Sequence, residues 1–110
     1  MNRGDIWMIK LGGKAGTRPV VVLTRQNVLE YLNKVIVAEI TTRGIGYPTE
    51  VFIDQKANLP KPSFVQADII HTVSKKKLEK FIGTLDSAIM VEISKNVVLA
   101  LELENCMVEI

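Results

Sequence analysis

The sequence predicts a mainly β domain of the α+β class. Five or six short strands are expected to curl into a small, strongly curved β-barrel, with one amphipathic helix packed on it at the C-terminal end. Three observations carry this. Apolar runs are short, rich in β-branched residues and separated by Gly, Pro, Asn and Asp turns. Sustained three- and four-residue apolar spacing is confined to the region after Asp86. The chain has 110 residues, 47% hydrophobic and 24% charged, which is enough for one core and leaves no room for a second. No internal repeat, linker or low-complexity tract interrupts it, so residues 1–110 are expected to form a single domain.

The elements follow in order. Asp5–Lys10 is the first expected strand. Leu11–Thr17, with three glycines in seven residues, is a flexible loop. Pro19–Thr24 (PVVVLT) is a buried second strand, and Arg25–Leu32 has the weak helical spacing of a short helix. Lys34–Ile40 (KVIVAEI) is the third strand, with Ile36, Ala38 and Ile40 expected toward the core and Val35, Val37, Glu39 and Thr41 away from it. A loop with Gly44 and Gly46 leads to a short strand, Glu50–Ile53, and Ala57–Pro62 is a turn with two prolines. Ser63–Val73 is a long strand, expected to bend, and Leu78–Leu85 is the last. Asp86 can then cap a helix over residues 87–103, with Ile89, Ile93, Val97, Ala100 and Leu101 as its apolar stripe and residues 104–110 as a short tail.

Composition narrows the function classes. No apolar run reaches the roughly 18–20 residues of a membrane helix. Charges interrupt what would be a signal-peptide core, so a reducing cytoplasm is the expected compartment and no membrane partner is expected. A single cysteine, Cys106, forms no internal disulfide and is read as incidental, and a single histidine, His71, excludes a multi-His metal site. No metal or cofactor is expected. The formal net charge of +2 permits nucleic-acid binding without requiring it. All four arginines lie in the first half, whereas residues 56–110 hold seven lysines balanced by seven acids. Arginine is the better forked partner for phosphate, so an anion site is expected to draw on the first half.

Several residues are candidates for chemistry, each with a plain structural alternative. Arg18 precedes the second strand and shares a face with Val20 and Val22, where a guanidinium can hold an anion at a fixed point. The alternative is a surface salt bridge. Thr41, Thr42 and Arg43 end the third strand and offer hydroxyls beside a cation, a set suited to phosphate; the alternative is ordinary turn entry. Gln66 and Asp68 share a face of the long strand. An aspartate among Phe64–Ile70 is expected to be partly buried, as a general base or as a salt-bridge partner. Imidazole carries protons near neutral pH, but His71 faces away from Asp68 unless a bulge intervenes, which favours a structural role. Ser74–Lys77 is a solvated turn or a nonspecific phosphate contact. Gly12 and Gly13 lack the Gly-Lys-Ser/Thr ending of a phosphate loop.

These segments, in this order, carry a family resemblance. RGDIW (Arg3–Trp7), TRPVVVLT (Thr17–Thr24), VIVAEITT (Val35–Thr42), PTEVFI (Pro48–Ile53), ADIIHTVSKKKL (Ala67–Leu78) and FIGTL (Phe81–Leu85) before a terminal helix resemble the MazF/PemK family of toxin endoribonucleases from bacterial toxin–antitoxin modules. The resemblance covers about residues 3–103 and implies a homodimeric SH3-like barrel. It also implies sequence-specific, metal-independent cleavage of single-stranded RNA by 2′-OH transesterification, and inhibition by a cognate antitoxin with a disordered acidic tail. Carried over by position, Arg18 and Thr41 are the catalytic pair and Asp68 the acid of PemK-type members. Thr42, Arg43, Gln66, His71 and Lys14 are expected to contact RNA.

The chain departs from the family pattern in the loop before Arg18, which lacks the usual Gly-(Ser/His)-Glu-Gln stretch. It departs also at Ile69 (commonly Gln), His71 (commonly Arg) and Glu39 (commonly small or proline). Two alternatives are a non-catalytic RNA- or protein-binding barrel and a CcdB-like gyrase poison. The latter depends on a C-terminal tryptophan, and the single tryptophan here is Trp7.

Overall fold

Alternating β-branched segments pair into one sheet. The computed structural model describes residues 1–10, 12 and 16–107. Within it β1 (Asp5–Lys10), β2 (Thr17–Val22), β3 (Lys34–Thr41), β4 (Glu50–Asp54), β5 (Ser63–Ser74) and β6 (Leu78–Thr84) lie in the order β4-β5-β3-β2-β1-β6, every adjacent pair antiparallel. Helices α1 (Ser87–Ala100) and α2 (Glu104–Met107) follow. The expected helix over Arg25–Leu32 shrinks to one 3₁₀ turn, Gln26–Val28. Lys14, most of the loop before Gly16, and residues 108–110 of the expected tail lie outside the described residues, as does the side chain of Cys106. Among the described residues no helix is long and apolar enough to cross a membrane.

Strand alternation splits the core between two faces. Val21, Ala38, Ile40, Val51, Ile53 and Val65 bury one face beneath Met90 and Ile93 of α1. Val20, Val22, Val35, Val37, Ile9, Leu29 and Leu78 form a second cluster on the other face. The expected division of β3 into core and solvent sides is therefore corrected. Val35 and Val37 are fully buried, while Ile36, on the expected core side, is 41% exposed. A sheet covered on both faces over part of its length buries both parities there, and α1 does not reach as far as Ile36.

The sheet is not closed. β4 and β6 are its edges among the described strands, so the expected barrel is corrected to a curled open sheet. The segment after β4 spans the gap: Asn58 Nδ2 donates to the Ile82 carbonyl at 3.0 Å, and the Ala57 backbone lies against Gly83. Side-chain and turn contacts take the place of a β4–β6 ladder. The curl is strengthened by a bulge in β5, where Glu39 pairs with Gln66 and the adjacent Ala38 pairs with Ile70. Ala67, Asp68 and Ile69 are left without partners on β3.

Asp86 caps α1 as expected, accepting from Ile89 N at 2.9 Å. The helix stops at Ala100 rather than 103, with Glu102 in the left-handed region (φ 55°), and Leu101 is exposed rather than part of the buried stripe. The opening RGD segment clamps the helix to the sheet. Arg3 donates to the Leu23 carbonyl (3.1 Å) and to Ser94 Oγ (2.7 Å). Buried Asp5 accepts from Asn2 N (2.7 Å) and Thr84 Oγ1 (2.8 Å). Gly4, at φ 93°, sits where a Cβ would approach Met90 Cγ to 3.2 Å.

Candidate functional site

Strand register builds the site. Val20 of β2 pairs with Glu39 of β3 at the end of that ladder, and Arg18 and Thr41 lie two residues beyond it, each on its own strand. Both side chains line a cleft of about 310 Å³, together with Pro19, Ile40, Thr42, Arg43 and Ser63. The cleft thus brings together four residues singled out in the sequence: Arg18, Thr41, Thr42 and Arg43. It holds two guanidinium groups and no carboxylate in its lining. Among the described residues the single ion pair is His71–Glu39, so neither arginine is neutralised by one. Two permanent cations in a concave site favour a doubly liganded anion such as a phosphodiester.

Thr41 is oriented by the turn that follows it. Its Oγ1 accepts from Arg43 N at 3.1 Å. A hydroxyl has one hydrogen and two lone pairs, so Thr41 keeps its hydrogen and one lone pair for a ligand. Arg43 lies in the exposed loop after β3, which Glu50 fixes by accepting from Ile45 N (2.9 Å) and Gly46 N (2.8 Å).

Two of the four first-half arginines line the cleft. Arg18 and Arg43 face the cleft; Arg3 holds α1, and Arg25 donates to Asn27 Oδ1 at 3.1 Å. Asp68 lies in the β5 bulge and is exposed, which corrects the expectation of partial burial. Its carboxylate accepts from the Thr49 hydroxyl. Gln66 is half-buried and sits across from both Glu39 and Glu50. The bulge that would join His71 to Asp68 exists, yet each goes to its own partner: His71 Nε2 meets Glu39 Oε2 at 2.5 Å. Lys75 is structural, donating to the Leu29 carbonyl, while Lys76 and Lys77 are exposed.

Sequence reasoning missed Phe52 and Phe64. Register sets Phe64 opposite Thr41 and Phe52 opposite Phe64, with ring centroids 5.0 Å apart. The sequence signal was the outward parity of Phe52 in PTEVFI; its neighbour across the strands was not readable without register. A second cleft of about 470 Å³ shares Pro19, Thr42 and Ser63 with the first and adds Lys61 and Lys80. A larger cavity, about 700 Å³, lies elsewhere, among Leu23, Val28, Leu32, Val35 and Ile36.

The curled antiparallel sheet carries a guanidinium–hydroxyl cleft at a strand mouth, a setting suited to an anion. Comparison with known proteins specifies the class. Residues 2–101 match the family described as "PemK-like, MazF-like toxin of type II toxin-antitoxin system", and the chain belongs to that family. Endoribonuclease MazF of Staphylococcus epidermidis is 32% identical over 114 aligned positions, covering 96% of this chain and 94% of the relative. The solved Mycobacterium tuberculosis toxin MazF-mt6 superposes with a TM-score of 0.83 at 33% identity, covering 91% of this chain and 98% of that one. A mycobacterial endoribonuclease solved with its cognate antitoxin gives a TM-score of 0.83 at 26% identity, covering 94% and 96%.

Proposed function

We propose that this chain is the toxin of a type II toxin–antitoxin module and cleaves single-stranded RNA without a metal, in the cytoplasm. Family membership supports the toxin role, and the endoribonuclease names of its relatives support the activity. The observation that carries the mechanism is the shared cleft of Arg18 and Thr41. The ribose 2′-oxygen, losing its proton to a base, attacks the adjacent phosphorus. The bond from phosphorus to the 5′-oxygen breaks and that oxygen takes a proton from water, leaving a 2′,3′-cyclic phosphate and a 5′-hydroxyl. Arg18 stabilises the negative charge that grows on the phosphoryl oxygens, and Arg43 holds a neighbouring oxygen. The Thr41 hydroxyl orients the phosphate or the 2′-OH. Asp68 carries the proton-accepting role only as the resemblance implies it: it lies in the β5 bulge, outside the cleft lining, with an exposed carboxylate that takes one donor, Thr49. The need for a 2′-OH makes DNA a ligand at most.

The toxin is read as a homodimer. Val91, Leu99 and Leu101 of the α1 region stay exposed in the single chain, a surface suited to a second copy. The antitoxin partner is read from the complexed relative, with an acidic tail suited to the arginine-lined cleft. The test is cleavage of a long RNA by the purified chain in EDTA, with the new ends examined. The reading requires 5′-hydroxyl ends that accept phosphate from a polynucleotide kinase. Intact RNA under these conditions would move the chain to a non-catalytic binding role.

A further inference from the structure

One row of side chains crosses the sheet through the cleft. From β2 to β4 it reads Arg18, Thr41, Phe64, Phe52 on a common face. Neighbouring strands lie roughly 4.8 Å apart, so Phe64 stands about 5 Å and Phe52 about 10 Å from Thr41 across the sheet. The two rings are tilted by 50° at 5.0 Å. Phe64 is half-buried with the Gly44 backbone against its ring: a Cβ on Gly44 would stand 3.0 Å from its Cε1 and Cζ. Phe52 is 56% exposed on an edge strand. Phenylalanine has no polar tip to satisfy in water, so Phe52, with Phe64 tilted against it, presents an apolar ring to solvent without a hydrogen-bonding reason for being there.

The geometry points to the Phe52–Phe64 pair as a stacking platform for an RNA base flanking the phosphate held at Arg18 and Thr41. It rests on the reading of that cleft as the phosphodiester site. A single strand alternates charged phosphate with flat base, and surfaces that bind it alternate cations with aromatic faces. The Arg18–Thr41–Phe64–Phe52 row has that alternation. Two of the carboxylates beside it have partners of their own, Glu50 accepting from two loop N–H groups and Glu39 meeting His71, while exposed Asp54 stands at the end of β4. Stacking tolerates any base because every base has a π-face, so the platform contributes affinity and register rather than sequence choice.

Fluorescence anisotropy on the full chain tests this with two short labelled probes. One is a mixed-sequence 2′-O-methyl RNA, whose blocked nucleophile keeps it intact; the other is the same backbone with abasic residues. Phe52→Ala is expected to weaken binding of the first roughly 5- to 100-fold. Binding of the abasic probe should be unchanged. Phe52→Leu keeps apolar bulk without a ring and should weaken binding as well, while Phe52→Trp should hold or tighten it. Wild-type affinity in Phe52→Ala or Phe52→Leu overturns the platform, as does an equal loss on the abasic probe. A fall in sedimentation mass on Phe52→Ala assigns the pair to an interface between copies and also overturns it. If wild type binds neither probe, the RNA reading itself fails. If wild type cuts RNA in EDTA and Phe52→Ala binds normally, the platform alone fails.

Discussion

Replacing Thr41 by valine separates chemistry from folding at the site. Valine keeps the branched shape that fits β3 and removes the oxygen. Structurally, one hydrogen bond is lost, the 3.1 Å acceptance from Arg43 N at an exposed turn. The orphaned N–H reaches water, so the stability cost should be no more than about 1 kcal/mol. In the proposed reaction the functional cost is larger, because the hydroxyl hydrogen left free by Arg43 N is the one assigned to the phosphate or the 2′-OH. Loss of one preorganised donor at a developing charge costs about 10²–10³ in rate, or roughly 2.7–4 kcal/mol. Thr41→Ser keeps the hydroxyl and should remain close to wild type. Single-turnover cleavage of one defined RNA, run beside thermal unfolding of all three proteins, gives both quantities. A valine variant that cuts within threefold of wild type would refute the role assigned to the hydroxyl. A valine variant that melts far below wild type would refute the structural half of the reasoning.

Other expectations follow from the same structure. Arg43→Ala should weaken RNA binding and reduce the slope of log affinity against log salt by about 0.7, the share of one phosphate contact on a single strand; an unchanged slope places Arg43 off the backbone. Gly83→Ala forces a Cβ to 2.4 Å from the Ala57 carbonyl oxygen. The backbone bridging β4 to β6 must then shift, at about 1–3 kcal/mol in denaturant unfolding, and an unaffected midpoint would mean that the gap is spanned differently. Asp86→Ala removes the cap on α1 and should cost about 0.5–2 kcal/mol, with Asp86→Asn nearly neutral. Asp68→Asn should slow cleavage without loss of stability, since its carboxylate is exposed and bound by a single hydroxyl; a full-rate variant gives the proton-accepting role to another group.

What the sequence disclosed depended on how local each signal was. Strand parity put Arg18 with Val20 and Val22, and the structure keeps them on one face. The Asp86 cap was legible because capping needs only four consecutive residues. The faces of β3 were misjudged because burial there depends on what lies beyond the strand: a second cluster covers Val35 and Val37, and α1 stops short of Ile36. Barrel closure was overcalled because the choice between a ladder and a bridging turn is made by Asn58 and Gly83, 25 residues apart in sequence. The burial of Asp68 was misjudged for a similar reason. Three unpaired residues in β5 change the alternation, and composition alone does not say where a bulge falls. Within the site, the resemblance singles out Arg18 and Thr41 as residues, whereas their shared cleft and the aromatic neighbours of Thr41 needed the arrangement of the strands.

The central claim is that the Arg18 guanidinium stabilises the charge that develops at phosphorus. Its direct measurement is single-turnover cleavage of a defined single-stranded RNA in EDTA by wild type, Arg18→Ala and Arg18→Lys, with sedimentation and circular dichroism confirming that the three share fold and assembly. Arg18→Ala should lose at least about a hundredfold in rate, some 3 kcal/mol of transition-state stabilisation. Arg18→Lys should recover little of it, because a point charge lacks the two-pronged geometry. An Arg18→Ala protein that is correctly folded and cuts as fast as wild type contradicts the account.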